Sequence, residues 1–268
     1  MKIGLIFSIM LIVSSLFASE LKLSWYSWKG FIEYEKNKNK FFKNLPSTNR
    51  MFVSFNPKEI KNLKHDKTQR KELKTFLALA KQRNVKIELL LGDPRYVYPK
   101  NHENLISLIE FFKPFAFSGI QLDIEPSGLV SYNEKEWIEN IAILMKKIDS
   151  KTDLKIGFAL NHSLAKKHIL DTLESSKVNE VVIMYYSVNS LNIQNKLNLL
   201  MNNNKDLKFS LALSIEPLDI LPKEETFAVY GREKAFLKWK KIDTVLKKNS
   251  NFVDIVIQSL YDYNEDKI

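Results

Sequence analysis

The feature that most constrains this chain is an alternation. From Glu20 onward, short apolar segments rich in β-branched and aromatic residues are separated by longer stretches of helical periodicity. The strand candidates are LKLSWYSW (21–28), RMFVSFN (50–56), VKIELLLG (85–92), SGIQLDIE (118–125), LKIGFALN (154–161), EVVIMYYS (180–187), LKFSLALSIE (207–216) and FVDIVIQSL (252–260). The clearest helices between them are TQRKELKTFLALAKQRN, HENLISLIEFFK, NEKEWIENIAILMKKIDS and REKAFLKWKKIDTVLKKNS, while MNNNKD reads as a loop before the seventh strand. In the third of these helices Trp137, Ile138, Ile141, Leu144, Met145 and Ile148 recur at helical spacing, and Asn133 is placed to cap its start. Strands alternating with helices build βα units around a parallel sheet. Eight of them within 20–268 predict an α/β fold, a single (β/α)8 TIM barrel. The chain stops at Ile268, too soon for a full eighth helix, so the barrel is either abbreviated there or covered by a neighbouring element.

Residues 1–19 have a different character. A lysine precedes an apolar stretch from Ile3 to Val13, and small residues surround Ala18 before the charged segment begins at Glu20. This is the pattern of a secretory signal peptide cleaved near Ala18 or Ser19. The apolar run is shorter than the roughly 20 residues that cross a bilayer, so no stable membrane anchor is expected after cleavage. The expected location is periplasmic or secreted.

With 45% hydrophobic residues in a chain of 268, one large core is within reach of burial alone. There is no cysteine, which excludes disulfides, thiolate metal sites and a lipid-modified N-terminal cysteine. The net charge of +10 is spread over KNKNKFFK, KHDKTQRK and KWKKIDTVLKK, where it reads as solvated helix faces. No nucleic-acid partner is expected, because phosphate binding concentrates basic residues on one surface. A basic exterior does favour acidic polymers and anionic cell surfaces. The histidines His65, His102, His162 and His168 lack metal-binding spacing, and there is no phosphate loop, dinucleotide fingerprint or nucleophile elbow. Neither a metal nor any other cofactor is expected.

The stretch FSGIQLDIEPSG (117–128) holds two carboxylates at the end of an apolar run. On a strand, Gly119, Gln121, Asp123 and Glu125 share one face, and Ile120, Leu122 and Ile124 share the other. The apolar face packs on helices, so the polar face looks down the barrel axis. Active sites of this architecture lie where the strands end, and Pro126 stops the strand directly after Glu125. Asp123 and Glu125 therefore reach the mouth as candidate catalytic groups. The structural alternative is that they satisfy loop amides or pair with a buried arginine.

These residues resemble the fourth-strand signature of the chitinase-like glycoside hydrolases of family eighteen, D-G-x-D-x-D-x-E. The glycine and the last two acids match at Gly119, Asp123 and Glu125, while Ser118 and Gln121 stand where the first two aspartates would be. VVIMYYS resembles the family's sixth-strand M-x-Y-D, with Met184 and Tyr186 in place and Ser187 where aspartate is usual. The resemblance implies a glycoside hydrolase in which Glu125 protonates the glycosidic oxygen. Asp123 would hold a substrate acetamido group that attacks the anomeric carbon, and Tyr186 would brace it, the substrate-assisted variant of retaining hydrolysis. The implied substrate is an N-acetylated amino-sugar polymer or oligosaccharide. The family's large eighth-strand aromatic has no counterpart, and Gln258 lies near that point.

The seventh strand ends in Glu216–Pro217, echoing Glu125–Pro126, with Ser210, Ala212, Ser214 and Glu216 on one face. Glu125 and Glu216 thus also resemble the acid/base and nucleophile pair of another barrel clan, which works at a carboxyl separation of about 5–5.5 Å. Glu216 could instead pair with Arg95 or Arg232. A third reading is a barrel that binds carbohydrate without cleaving it, motivated by the residues at 118 and 121. The strand-end rule adds Trp25, Tyr26, Trp28, Asn56, Asp93, Arg95, Tyr96, Asn161, His162, Tyr185, Tyr230 and Tyr261 as mouth candidates. Of these, Trp25, Trp28, Asn161 and Tyr185 join Gln121, Tyr186 and Gln258 as candidate substrate-binding residues.

Overall fold

A computed structural model of the protein describes residues 21–264, so the expected signal peptide lies outside the described residues. Eight parallel strands close into a barrel in chain order: β1 (Leu23–Ser27), β2 (Thr48–Ser54), β3 (Lys86–Leu91), β4 (Gly119–Leu122), β5 (Ile156–Asn161), β6 (Glu180–Met184), β7 (Lys208–Ser214) and β8 (Phe252–Gln258). Ring closure is made by β1 and β8, where Ser24 faces Val256 and Trp25 faces Ile257.

The helices form the outer layer. Among the described residues they are α1 (Gly30–Lys36), α2 (Lys38–Phe41), α3 (Pro57–His65), α4 (Lys67–Gln82), α5 (His102–Phe112), α6 (Glu134–Asp149), α7 (Lys167–Ser175), α8 (Ser190–Asn203), α9 (Gly231–Leu246) and α10 (Leu260–Asn264). The sequence signals explain their starts. Asn133 accepts from the Glu136 amide to cap α6, and Asn56 with Glu59 forms a reciprocal capping box on α3. The stripe from Trp137 to Ile148 is buried against the barrel, each such side chain contributing about 1.5–3 kcal/mol. The expected loop at MNNNKD is a correction: α8 runs through Met201, Asn202 and Asn203. Met201 is buried on the same stripe as Ile193, Leu197 and Leu200, and Asn204 ends the helix by donating its side-chain amide to the Leu200 carbonyl at 2.7 Å. Apolar periodicity outweighs the low helix propensity of the asparagines.

Among the described residues β8 is followed by α10, which is little more than one turn. Its Tyr263 packs on Trp25 of β1 with ring centroids 4.9 Å apart, closing the flank that a full helix would cover.

Strand alternation sorts side chains into two cores. Residues such as Trp25, Met51, Leu89, Leu122 and Ile257 pack outward beneath the helices. Tyr26, Phe52, Leu90, Ala159, Val182, Met184, Ala212 and Val256 fill the barrel, which is a packed interior and not a pore. Below that apolar layer, toward the amino ends of the strands, lies a polar plug. Arg50 donates to Glu180 through two nitrogens at 2.8 and 2.7 Å, to Asp254 at 2.8 Å and to Glu88 at 3.3 Å. Ser210 and Ser24 donate to the Asp254 carboxylate. Arg50 was not singled out in the sequence, yet alternation in RMFVSFN sends it inward with Phe52. It is the barrel's buried arginine, and it serves the plug, not Asp123 or Glu125.

Candidate active site at the carboxyl mouth

β4 ends at Leu122, three residues before the expected limit, but its geometry continues. The Asp123 amide donates to the Leu91 carbonyl at 3.0 Å, and Glu125 remains extended at φ −79° and ψ 142° before Pro126 opens a short 3-10 turn. The period-two alternation therefore persists to Glu125. Gln121 is fully buried in the middle of the barrel, and its carboxamide lies across Gly157 of β5. A Cβ on Gly157 would come 2.1 Å from the Gln121 side-chain oxygen, so glycine is what allows that approach. Among the described residues neither Gln121 amide atom has a hydrogen-bond partner, nor does Oδ1 of Asp123 or the hydroxyl of Tyr26. Buried polar groups normally find partners. Of these, Tyr26 and Asp123 lie close enough to interact electrostatically.

The electrostatics follow from that placement. Burial raises the Asp123 pKa to about 7, and the Glu125 charge adds to it. Burial also raises Glu125. The Glu125 charge acts on Asp123, whose carboxyl sits the deeper of the two. Tyr186 is held well above the ordinary phenol range by burial and then by the charges of Glu216, Asp123 and Glu125. It remains a neutral donor among three carboxylates. Tyr26 is raised by burial and by Asp123.

Glu216 joins this group from the far side. Ser214 donates to its Oε2 at 3.1 Å, Gln258 donates to its Oε1 at 3.5 Å, and burial raises its pKa. The expected alternative of an arginine pair is not what forms. Arg95 is bound to Asp93 at 2.6 Å, and the Arg232 guanidinium lies over the Tyr263 ring. Among the described residues no salt bridge engages Asp123, Glu125 or Glu216. Gln258 also accepts from the indole of Trp28 at 3.1 Å, so Trp28, Gln258, Glu216 and Ser214 form one chain of hydrogen bonds across the mouth.

Two hollows flank the acids. One of about 320 Å³ is walled by Trp28, Gly92 and Tyr96. The ring of Trp28 and the Cβ of Asp123 both lie close to Gly92, at 3.5 and 3.6 Å from where a side chain there would begin. The other, also about 320 Å³, is bounded by Glu125, Tyr132 and Asn161. Asn161 accepts from the amide and hydroxyl of Ser163, which fixes its carboxamide at that wall.

Besides Gln121 and Tyr26, which lie inside the barrel, two candidates turn to the outer core. Trp25 has no exposed surface and belongs to the outer core, because its neighbour Tyr26 takes the inward position on β1. Tyr185 is out of phase with Met184 and Tyr186; it packs on the outer core and stacks on His162 at 4.2 Å. Alternation within each strand carried both answers. The hollow beside Gly92 carried no comparable signal, since its walls come from three separate βα connections.

No family model and no curated protein matches the chain. Solved structures do. A chitinase-like lectin from tamarind is 12% identical, with 93% of this chain and 99% of that chain covered at a TM-score of 0.52. A xylanase and α-amylase inhibitor protein solved with trehalose is 12% identical, covering 93% and 97% at 0.56. A protein from Anabaena variabilis named as a sugar phosphate isomerase/epimerase is 14% identical, covering 90% and 84% at 0.56. The chain shares their fold, a (β/α)8 barrel. Since a lectin, an inhibitor and an isomerase share it, function has to be argued from the site.

Proposed function

We propose that the protein is an exported glycoside hydrolase that cleaves an N-acetylated amino-sugar glycan at the carboxyl mouth of its barrel. The observation that carries this reading is the gathering of Asp123, Glu125 and Glu216 around Tyr186, with no salt bridge among the described residues to neutralise them. Carboxyls whose pKa values are raised in this way suit general acid chemistry near neutral pH.

In the substrate-assisted route that the family-eighteen resemblance implies, Glu125 delivers a proton to the glycosidic oxygen. The deeper Asp123 and the phenol of Tyr186 orient the acetamido group, whose oxygen closes on the anomeric carbon as the leaving group departs. Water then opens that intermediate with Glu125 acting as base. Trp28 presents an indole face, 36% exposed and tethered to Gln258, as a plate for a sugar ring.

The second reading is a carbohydrate-binding barrel without turnover. Gln121 favours it, because a carboxamide beneath Asp123 can hydrogen-bond but cannot pass a proton. A third assignment gives Glu216 the role of nucleophile with Glu125 as acid/base.

One experiment separates the three. Wild type, Glu125→Gln and Glu216→Gln are assayed against chitin oligomers, peptidoglycan and neutral glycans, with binding measured in parallel. Hydrolysis abolished by Glu125→Gln alone supports the substrate-assisted route, and hydrolysis abolished by either variant supports the glutamate pair. Saturable binding with no cleavage in any case overturns the enzyme reading. Export is part of the proposal, and N-terminal sequencing of the mature protein tests it.

A further inference from the structure

We propose that the glycan carries a carboxylate substituent, and that Lys64 and Arg95 receive it at the outer end of the cleft beside Trp28; this rests on the glycan reading above. The hollow walled by Trp28, Gly92 and Tyr96 does not end at Tyr96. It shares Pro57, Ile60, Asp93, Tyr96 and Leu108 as a common wall with a second hollow of about 450 Å³, which continues outward to Lys64 and Arg95. Together they make one cleft that starts next to Asp123 and runs between the β2–α3 and β3–α5 connections.

The character of its walls changes along its length. The inner part is an aromatic and apolar trough with the Trp28 indole in its wall, suited to the flat face of a sugar ring. The outer part is cationic. Lys64 has no acidic partner among the described residues, and its ammonium stands 5.7 Å from the centre of the Phe111 ring. Arg95 commits Nε and Nη2 to Asp93, and its side chain is 74% exposed. Asn101 donates to the Arg95 carbonyl at 2.8 Å and steadies the loop that presents it. Two cations against the single carboxylate of Asp93 leave this end net positive. The hollow on the other side of Glu125 has no basic residue in its wall. The cleft is therefore electrically polarised, with its positive end remote from the acids, and a ligand with an acidic group a sugar unit or more from the scissile bond matches it. An alternating N-acetylhexosamine polymer in which every second unit bears a lactyl carboxylate has this chemistry, whereas a neutral homopolymer does not.

The test uses the full mature chain carrying Glu125→Gln, so that turnover does not interfere. Calorimetric titration is performed with a tetrasaccharide of alternating plain and lactyl-bearing N-acetylhexosamines, with its methyl ester and with neutral chitotetraose. The free acid is expected to bind about fivefold more tightly than its ester, the scale of exposed ion pairs. That ratio should approach one in Lys64→Gln/Arg95→Gln and in 0.5 M salt. Equal affinity for acid and ester overturns the inference while leaving the glycan reading standing. Failure of all three sugars to bind overturns the glycan reading itself.

Discussion

Nε1 of Trp28 donates to the side-chain oxygen of Gln258 at 3.1 Å, tying the residue just past β1 to the last residue of β8 at the seam where the barrel closes. The bond holds an otherwise exposed indole upright beside Asp123, and Gln258 passes the connection on to Glu216. Gln258→Leu should therefore lower stability by only about 1 kcal/mol. It should weaken sugar binding severalfold and broaden the Trp28 contribution to fluorescence, read by titration against an N-acetylated tetrasaccharide.

Trp25 within β1 and Trp28 just past its end lie three residues apart and should respond oppositely. Trp25 is sealed in the outer core against Tyr263. Trp25→Ala should cost about 3–5 kcal/mol in urea unfolding. Trp28→Ala should leave the urea midpoint nearly unchanged and reduce glycan affinity. A large stability loss from Trp28→Ala would refute its assignment as a binding plate.

The acid pair sets the pH dependence. Asp123 has a folded pKa of about 7, above its unfolded value, so the folded state binds this proton more tightly. Stability is greatest where Asp123 is protonated and falls as pH rises from about 4 to about 7. Glu125 and Glu216 are shifted in the same direction and add to the slope. Denaturant midpoints between pH 4.5 and 8 should show a decline on the order of 2–4 kcal/mol in wild type. The decline should be much smaller in Asp123→Asn. Glycan hydrolysis should fall over the same interval as the pair loses its proton.

The plug makes a separate prediction. Arg50→Met removes the cation that compensates Glu88, Glu180 and Asp254. Leaving buried carboxylates unpaired should cost about 3–5 kcal/mol, recoverable in part at low pH, where Glu88, already raised by burial, takes up a proton. Affinity for sugar, measured well below the unfolding midpoint, should remain that of wild type.

Much of the fold is legible in the sequence because the signals are local. Each strand is an apolar run of period two, each helix a stripe of period 3.6, and eight such units leave a parallel barrel as the simplest way to bury every face. Alternation also places Asp123 and Glu125 at the mouth and Ser214 and Glu216 on one face. Where the reading slipped, the local periodicity itself held the answer. Trp25 turned outward because Tyr26 took the inward place, and Asn202 and Asn203 became helical because Met201 completed a buried stripe.

What the sequence determined by itself is periodicity: which residues can be strands, which faces are apolar, and which carboxylates end a strand. What only the tertiary structure decided is proximity across the ring. Glu216 meets Gln258 and Trp28, Arg50 gathers acids from three other strands, and Gln121 slips across Gly157. The reason is physical. Alternation fixes a side chain's direction from its neighbours in the chain, whereas barrel closure fixes its distance from residues as many as 230 positions away, and no local pattern records that distance.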